Sequence, residues 1–228
     1  ETIPLCIENT PHYGIFPAKE DEVNYSGDII RNGYRYYDTH KYPVRYPFGY
    51  GLSYATFEYS NLVLDKKILH DDDILTVKVT IKNTSDIKGK EVVQLYVHDQ
   101  DSYYPRPYKE LKAFTKIELS PKEEKVVSFT LDDNAFNIYS VDFQDFRVES
   151  GLFTIMIAKD ALNMVLEDVV EYITRKPLKK NLTLNHPLKN FKLYKYDLYK
   201  QIEDEFRVFP WYEIEEPAIR VLKRLKRE

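Results

Sequence analysis

The 228-residue chain carries 33 basic and 37 acidic residues, a formal net charge of −4, so it has no charge excess to serve a polyanionic partner. Both signs are interspersed, which argues against a nucleic-acid binder with its concentrated basic face, and no stretch approaches the ~20 apolar residues of a membrane-spanning helix. The one cysteine, Cys6, excludes an intrachain disulfide and leaves packing alone to hold the fold.

Residues 1–50 hold few periodic apolar runs and much Pro, Gly, Asn and Tyr, and read as loop-rich chain without a face that could fold alone. The run Tyr46-Pro47-Phe48-Gly49-Tyr50-Gly51-Leu52-Ser53-Tyr54 is a turn cluster: proline fixes φ, glycine permits positive φ, and the aromatics supply area to bury. From residue 55 the apolar period becomes two. Phe57, Tyr59, Leu62 and Leu64 predict a first strand. Leu75, Val77, Val79 and Ile81, alternating with Thr76, Lys78, Thr80 and Lys82, predict a half-buried second. Val92–Val97 is nearly continuous apolar chain, as a central strand covered on both faces requires. Leu111–Leu119, Lys125–Leu131, Phe143–Val148 and Gly151–Ala158 complete seven short strands with turn residues between them. Such a series, with no helical period in between, predicts a two-sheet sandwich. Val165–Ile173 suits one more strand or a connector. Lys176–Lys189, polar with two prolines, predicts an extended strap. Helices are predicted around Asp197–Phe206 and over Ile214–Leu225, the latter with acidic residues at its start and basic ones at its end, in line with the helix dipole.

These blocks resemble the motifs of family 3 glycoside hydrolases. Tyr46–Tyr54 is similar to that family's (F/Y)PFGxGLSY signature, Gly33-Tyr34-Arg35-Tyr36-Tyr37-Asp38 to GYRYYD, and Thr56-Phe57-Glu58-Tyr59 to TxFxY. Gly89–Val97 is similar to GxEVVQLYV, and Arg106-Pro107, Lys109-Glu110-Leu111-Lys112 and Phe114 to RPxKELKxF. The resemblance covers roughly residues 1–160. It departs at Tyr25–Gly33, which is one residue longer and lacks the family's usual Glu, so no role of that Glu is transferred.

The resemblance implies a mainly β chain: a fibronectin-III-like, immunoglobulin-like β-sandwich preceded by the end of an α/β sandwich domain and followed by a strap and helical tail. The implied boundaries are 1–50 for the terminal segment and linker, 51–160 for the sandwich and 161–228 for the extension. The parent enzyme would hydrolyse terminal β-linked sugars with retention and without a cofactor. That reaction needs two carboxyl groups about 5 Å apart. The family takes its nucleophilic Asp from an upstream barrel, and its acid/base Glu usually from the α/β sandwich domain. Neither maps onto this chain, which starts at Glu1 with no leader and is expected to be a piece of something longer. Its implied partners are those two catalytic domains and an oligosaccharide or glucoside substrate. A free-standing carbohydrate-binding or adhesive module is the alternative of a different class.

The local acidic groups point to turns rather than metals. Asp71-Asp72-Asp73 lacks the spacing of a calcium loop, His98, Asp99 and Asp101 close a strand, and Asp132-Asp133-Asn134 suits a cap. Candidates for the rim of a sugar site are Asp28 and Asp38, together with Tyr103, Tyr104 and Arg106 in the loop Asp99–Tyr108. Aromatic rings stack on sugar faces and Arg donates to hydroxyls, yet the same side chains serve equally to hold two domains together. Twenty tyrosines spread along the chain fit strands and interfaces better than one stacking surface. Asn83-Thr84-Ser85 and Asn181-Leu182-Thr183 match the glycosylation tripeptide.

Overall fold

A computed structural model describes residues 1–13, 32–102, 104, 106–140 and 143–176. The expected strap, apart from Lys176, and both tail helices lie outside these residues. In chain order the elements are β1 (Ile3–Pro4), α1 (Tyr34–His40), β2 (Val44–Tyr46), β3 (Phe57–Leu64), β4 (Ile68–His70), β5 (Leu75–Asn83) and β6 (Gly89–Asp99). There follow β7 (Glu110–Leu119), β8 (Glu124–Leu131), β9 (Ile138–Ser140), β10 (Asp145–Arg147), β11 (Gly151–Ala158) and β12 (Met164–Ile173).

Two sheets make the predicted sandwich, one of five strands in the order β4-β12-β11-β6-β7 and one of three in the order β3-β5-β8. The alternation in β5 is reproduced: Leu75, Val77, Val79 and Ile81 are all fully buried. They pack with Val93, Leu95 and Val97 of β6, Phe153, Ile155 and Ile157 of β11, and Val170 and Tyr172 of β12. Burial on this scale, at about 1.5–3 kcal/mol per large side chain, is what replaces the missing disulfide. β12 pairs antiparallel with β11 along most of its length, so the sandwich runs to Ile173.

One expectation needs correction. Phe143–Val148 is not a sandwich strand: only Asp145–Arg147 is extended, and it pairs with β9 in a separate two-stranded ribbon. Its Phe146 is mostly exposed, and of the segment's apolar residues Val148, past the ribbon, enters the core. Within the loop-rich N-terminal segment, Tyr34–His40 is helical. Gly33 starts that helix at φ 58° and Lys41 ends it in the left-handed region, where its amide donates to the Asp38 and Tyr37 carbonyls. Two turns are too short for a helical period to show in the sequence.

The strand β6 is buried on both sides. Its Val93, Leu95 and Val97 enter the inter-sheet core, while Tyr96 packs on the opposite face with Met156, Ala158 and Ala161. That outer face is covered by Tyr34 of α1 and by Phe48.

Candidate functional site

The outer face of the five-stranded sheet is where the two most distinctive sequence blocks meet. Residues 34–49 lie across it and are held by hydrogen bonds, ion pairs and rings. Tyr34 stacks tilted on Phe48, with ring centroids 5.1 Å apart, and meets the Tyr96 ring edge-on at 5.8 Å. Its hydroxyl accepts from the Leu111 amide at 2.8 Å, beside the shift in the β6–β7 register. Thr39 Oγ1 donates to its own helix at Arg35 O and accepts from the Tyr108 amide at 3.1 Å. The Phe48 carbonyl accepts from the Ala161 amide at 2.8 Å. Gly49, at φ 85°, lies so close to Gln94 that a Cβ would collide with its side-chain amide. Gln94 in turn donates to Lys159 O at 2.8 Å and accepts from the Tyr96 hydroxyl at 2.6 Å.

Charge completes the seam. Asp38 accepts from Lys109 Nζ at 2.6 Å, with side chains only 2% and 5% exposed. Burial pushes the Asp38 carboxyl above its usual range, and the Lys109 ammonium only partly offsets this. The Lys109 ammonium also lies 5.7 Å and 5.4 Å from the Tyr96 and Tyr108 ring centroids, where the ring faces attract it. Glu110 gathers three cations: Arg35 at 2.9 Å, Lys112 at 3.2 Å and Arg106 at 3.3 Å. Burial works to raise Glu110, but Lys112, Arg106 and Arg35 together hold its carboxyl below the ordinary value.

Arg106 is an internal clamp. Its guanidinium is 6% exposed and donates to Asp99 Oδ2, Phe136 O, Glu110 and Asn137 O at 3.0–3.3 Å, so four of its donor directions are spent inside the fold. Burial raises the Asp99 carboxyl and Arg106 opposes the shift. Of the other rim candidates, Asp38 points into the Lys109 pair. Asp28 and Tyr103 lie outside the described residues, and Tyr104 is buried. The structure therefore places Asp38 in a buried pair with Lys109, and Arg106 in a separate cluster with Asp99, Glu110, Arg35 and Lys112. Sequence reasoning missed Arg35, Lys109 and Glu110 as functional side chains. Both blocks stood out as charged and aromatic, with no local sign that one pairs with the other.

The acidic clusters are absorbed by turns. Asp71 accepts from Thr174 Oγ1 and the Arg175 amide, Asp73 from Lys66 and the His70 amide, and Asp133 from the Tyr172 hydroxyl and the Asp72 amide. Among the described residues no group of His, Cys, Asp and Glu is arranged to hold a metal ion. Asn83 is fully buried: its Nδ2 donates to Ile87 O and Leu119 O at 2.8 and 3.2 Å, and its Oδ1 accepts from Ser85. That tripeptide is a turn device, with no room for a glycan on the folded chain.

Comparison with known proteins bears on the same segments. The family model of the fibronectin type III-like domain matches residues 91–161. Thermostable β-glucosidase B of Acetivibrio thermocellus is 44% identical over 185 residues, 81% of this chain and 24% of that protein. An exo-α-(1→6)-L-arabinopyranosidase of Bifidobacterium breve is 40% identical over 174 residues, 76% of this chain and 22% of that one. The crystal structure of a GH3 β-glucosidase from Bifidobacterium adolescentis superposes with a TM-score of 0.72 at 35% identity, covering 81% of this chain and 27% of that chain. The chain spans about a quarter of the length of the relatives it matches.

Proposed function

We propose that this chain, which belongs to the family 3 glycoside hydrolases as the part carrying their fibronectin type III-like domain, is a non-catalytic buttress of a retaining β-glucosidase-like enzyme. The sandwich would hold the barrel and α/β sandwich domains that carry the catalytic carboxyl groups, and the substrate would be a terminal β-linked glycoside. One observation carries this reading: residues 34–49, the segment through which a preceding domain would connect, are fixed to the sandwich by the buried Asp38–Lys109 pair, the Arg35–Glu110 pair and the hydrogen bond from the Leu111 amide to Tyr34. A free module would have no need to immobilise its own N-terminal arm in this way. The proposed division is a connecting arm over 1–50, the sandwich from 51, and an extension after it.

Asp38 and Arg106, spent on Lys109 and on Asp99 and Glu110, act as glue in this reading, and a sugar would not reach their polar atoms. Relatives named as a β-glucosidase and as an arabinopyranosidase share this segment at similar identity, which supports a role independent of the sugar cleaved. The test compares the 228-residue chain with the product of the full reading frame on an aryl β-glucoside. Turnover by the full product and none by the chain is expected. Turnover by the chain itself, abolished by replacing one of its carboxylates, overturns the reading.

A further inference from the structure

The arm that is fixed to the sheet has a second side. Within residues 46–50 the aromatics separate: Phe48 turns inward onto Tyr34, while Tyr46 and Tyr50 stand outward, 44% and 47% exposed. Their rings lie 5.2 Å apart, so they form one surface. That surface continues in both directions. Ile3 pairs with Tyr46 across the β1–β2 ribbon and is itself 41% exposed. Past Tyr50 the chain carries Leu52 and Tyr54, 90% and 96% exposed, the two most exposed large apolar side chains among the described residues. The ribbon has two strands of two and three residues and no third strand among the described residues, a size that is not stable by itself in water. Beside Tyr50 and Leu52 a cleft is walled by Lys90, Lys116 and Lys159 together with Glu91 and Asp160. A run of exposed large apolar side chains bordered by charges of both signs is a surface made to be covered.

We infer that Ile3, Tyr46, Tyr50, Leu52 and Tyr54 form a docking face for a preceding domain of the same polypeptide, which meets it with an apolar centre and a polar rim of both charges. This rests on the proposed function and names the surface through which the buttress acts. Three observations select that occupant over others. The relatives are about four times as long as the matched stretch, so a covering domain exists in proteins of this kind. The face lies on the connecting arm, where a preceding domain is tethered and its effective concentration is highest. The inward side of the same residues is already committed to the sandwich, so the arm is two-sided, as a joint between two bodies must be.

Thiol accessibility tests it. Tyr54→Cys and, as a control on the outer face of the three-stranded sheet, Val126→Cys are made in a Cys6→Ser background, and labelling at each site is read by peptide mass spectrometry. In the 228-residue chain both should react at comparable rates. In the full-length enzyme Tyr54→Cys should react about tenfold or more slowly while Val126→Cys is unchanged, since local protection scales with the free energy of opening. Equal labelling of Tyr54→Cys in both forms, in a full-length enzyme that still turns over the aryl glucoside, overturns the docking face and leaves the buttress reading standing. A full-length product with no glycosidase activity overturns both. Protection already present in the 228-residue chain refutes the inference too: if independent of concentration it assigns the face to another segment of this chain, and if concentration-dependent to a second copy.

Discussion

Asp38→Asn cuts the seam at its most buried charge. The substitution keeps the shape and one acceptor but leaves Lys109 as a cation with 5% of its side chain exposed. Breaking a buried pair from one side costs about 3–5 kcal/mol. The Tyr96 and Tyr108 rings offset part of that cost. Because the arm can lift without unfolding the sandwich, the assay is native-state hydrogen exchange at individual amides. Tyr108, Leu111 and Ala161 donate to Thr39 Oγ1, Tyr34 Oη and Phe48 O, so their protection comes from the arm alone. In Asp38→Asn these three should exchange about 10²–10³ times faster relative to wild type, while Val79 in β5 stays protected. A ratio near one refutes the account of the seam. Adding Lys109→Met to Asp38→Asn should recover much of the protection, as the stranded charge is then gone.

Gly49→Ala should destabilise the arm by about 2–5 kcal/mol, summing the left-handed backbone penalty and the broken Gln94 hydrogen bonds, measurable by urea titration; a change under 1 kcal/mol would mean Gln94 moves aside freely. Glu110, held low by its cations, contributes stability that is complete above the unfolded carboxyl value of about 4.3 and is lost as pH falls through its lower folded value. Melting curves of Glu110→Gln and wild type should therefore lie apart at pH 6 and converge toward pH 3; parallel curves would show that Glu110 is not linked to folding. Asn83→Ala should cost about 2–4 kcal/mol by stranding the Ile87 and Leu119 carbonyls, whereas the exposed Cys6→Ser should cost almost nothing.

The parts of the fold that showed in the sequence are those whose cause is local. Leu75 to Ile81 alternate because one side of β5 faces the opposite sheet, and a period of two needs only seven residues to declare itself. The apolar run of β6 showed equally well, although its second covering is a helix that the sequence concealed. Tyr34–His40 has two turns and a mixed aromatic and charged surface, so no stripe stands out. β4, with three residues, pairs parallel with β12 across about a hundred positions, a contact with no local trace. The same limit applies to the seam. Asp38 and Lys109 lie 71 positions apart, and Tyr34 and Leu111 77, so both halves could be seen as distinctive blocks without any sign that each is the other's partner. Arg106 and Asp38 were legible as polar residues within distinctive blocks. Their burial is a property of the packed state alone.

A seam built from charges raises the question of what apolar contact would have lacked. A buried ion pair is on average no more stabilising than a well-packed hydrophobic pair, so energy alone does not favour Asp38–Lys109 or the three cations at Glu110. Position does. Tyr34 and Phe48 supply the non-directional attraction, and rings of that kind tolerate sliding along a sheet. Lys109 and Glu110 are consecutive and of opposite sign, as are the demands of Asp38 and Arg35 one helical turn apart. Moving the arm one residue toward Leu111 would set Asp38 beside Glu110 and Arg35 beside Leu111, and moving it the other way would set Arg35 beside Lys109 and Asp38 beside Tyr108, so either slip exchanges two attractions for one repulsion and one lost partner. Gly49 against Gln94 then admits the arm at one depth only. The aromatic contacts thus bring the arm down and the charges fix where it lies, which is what a connector needs if a domain beyond it is to be held in one orientation.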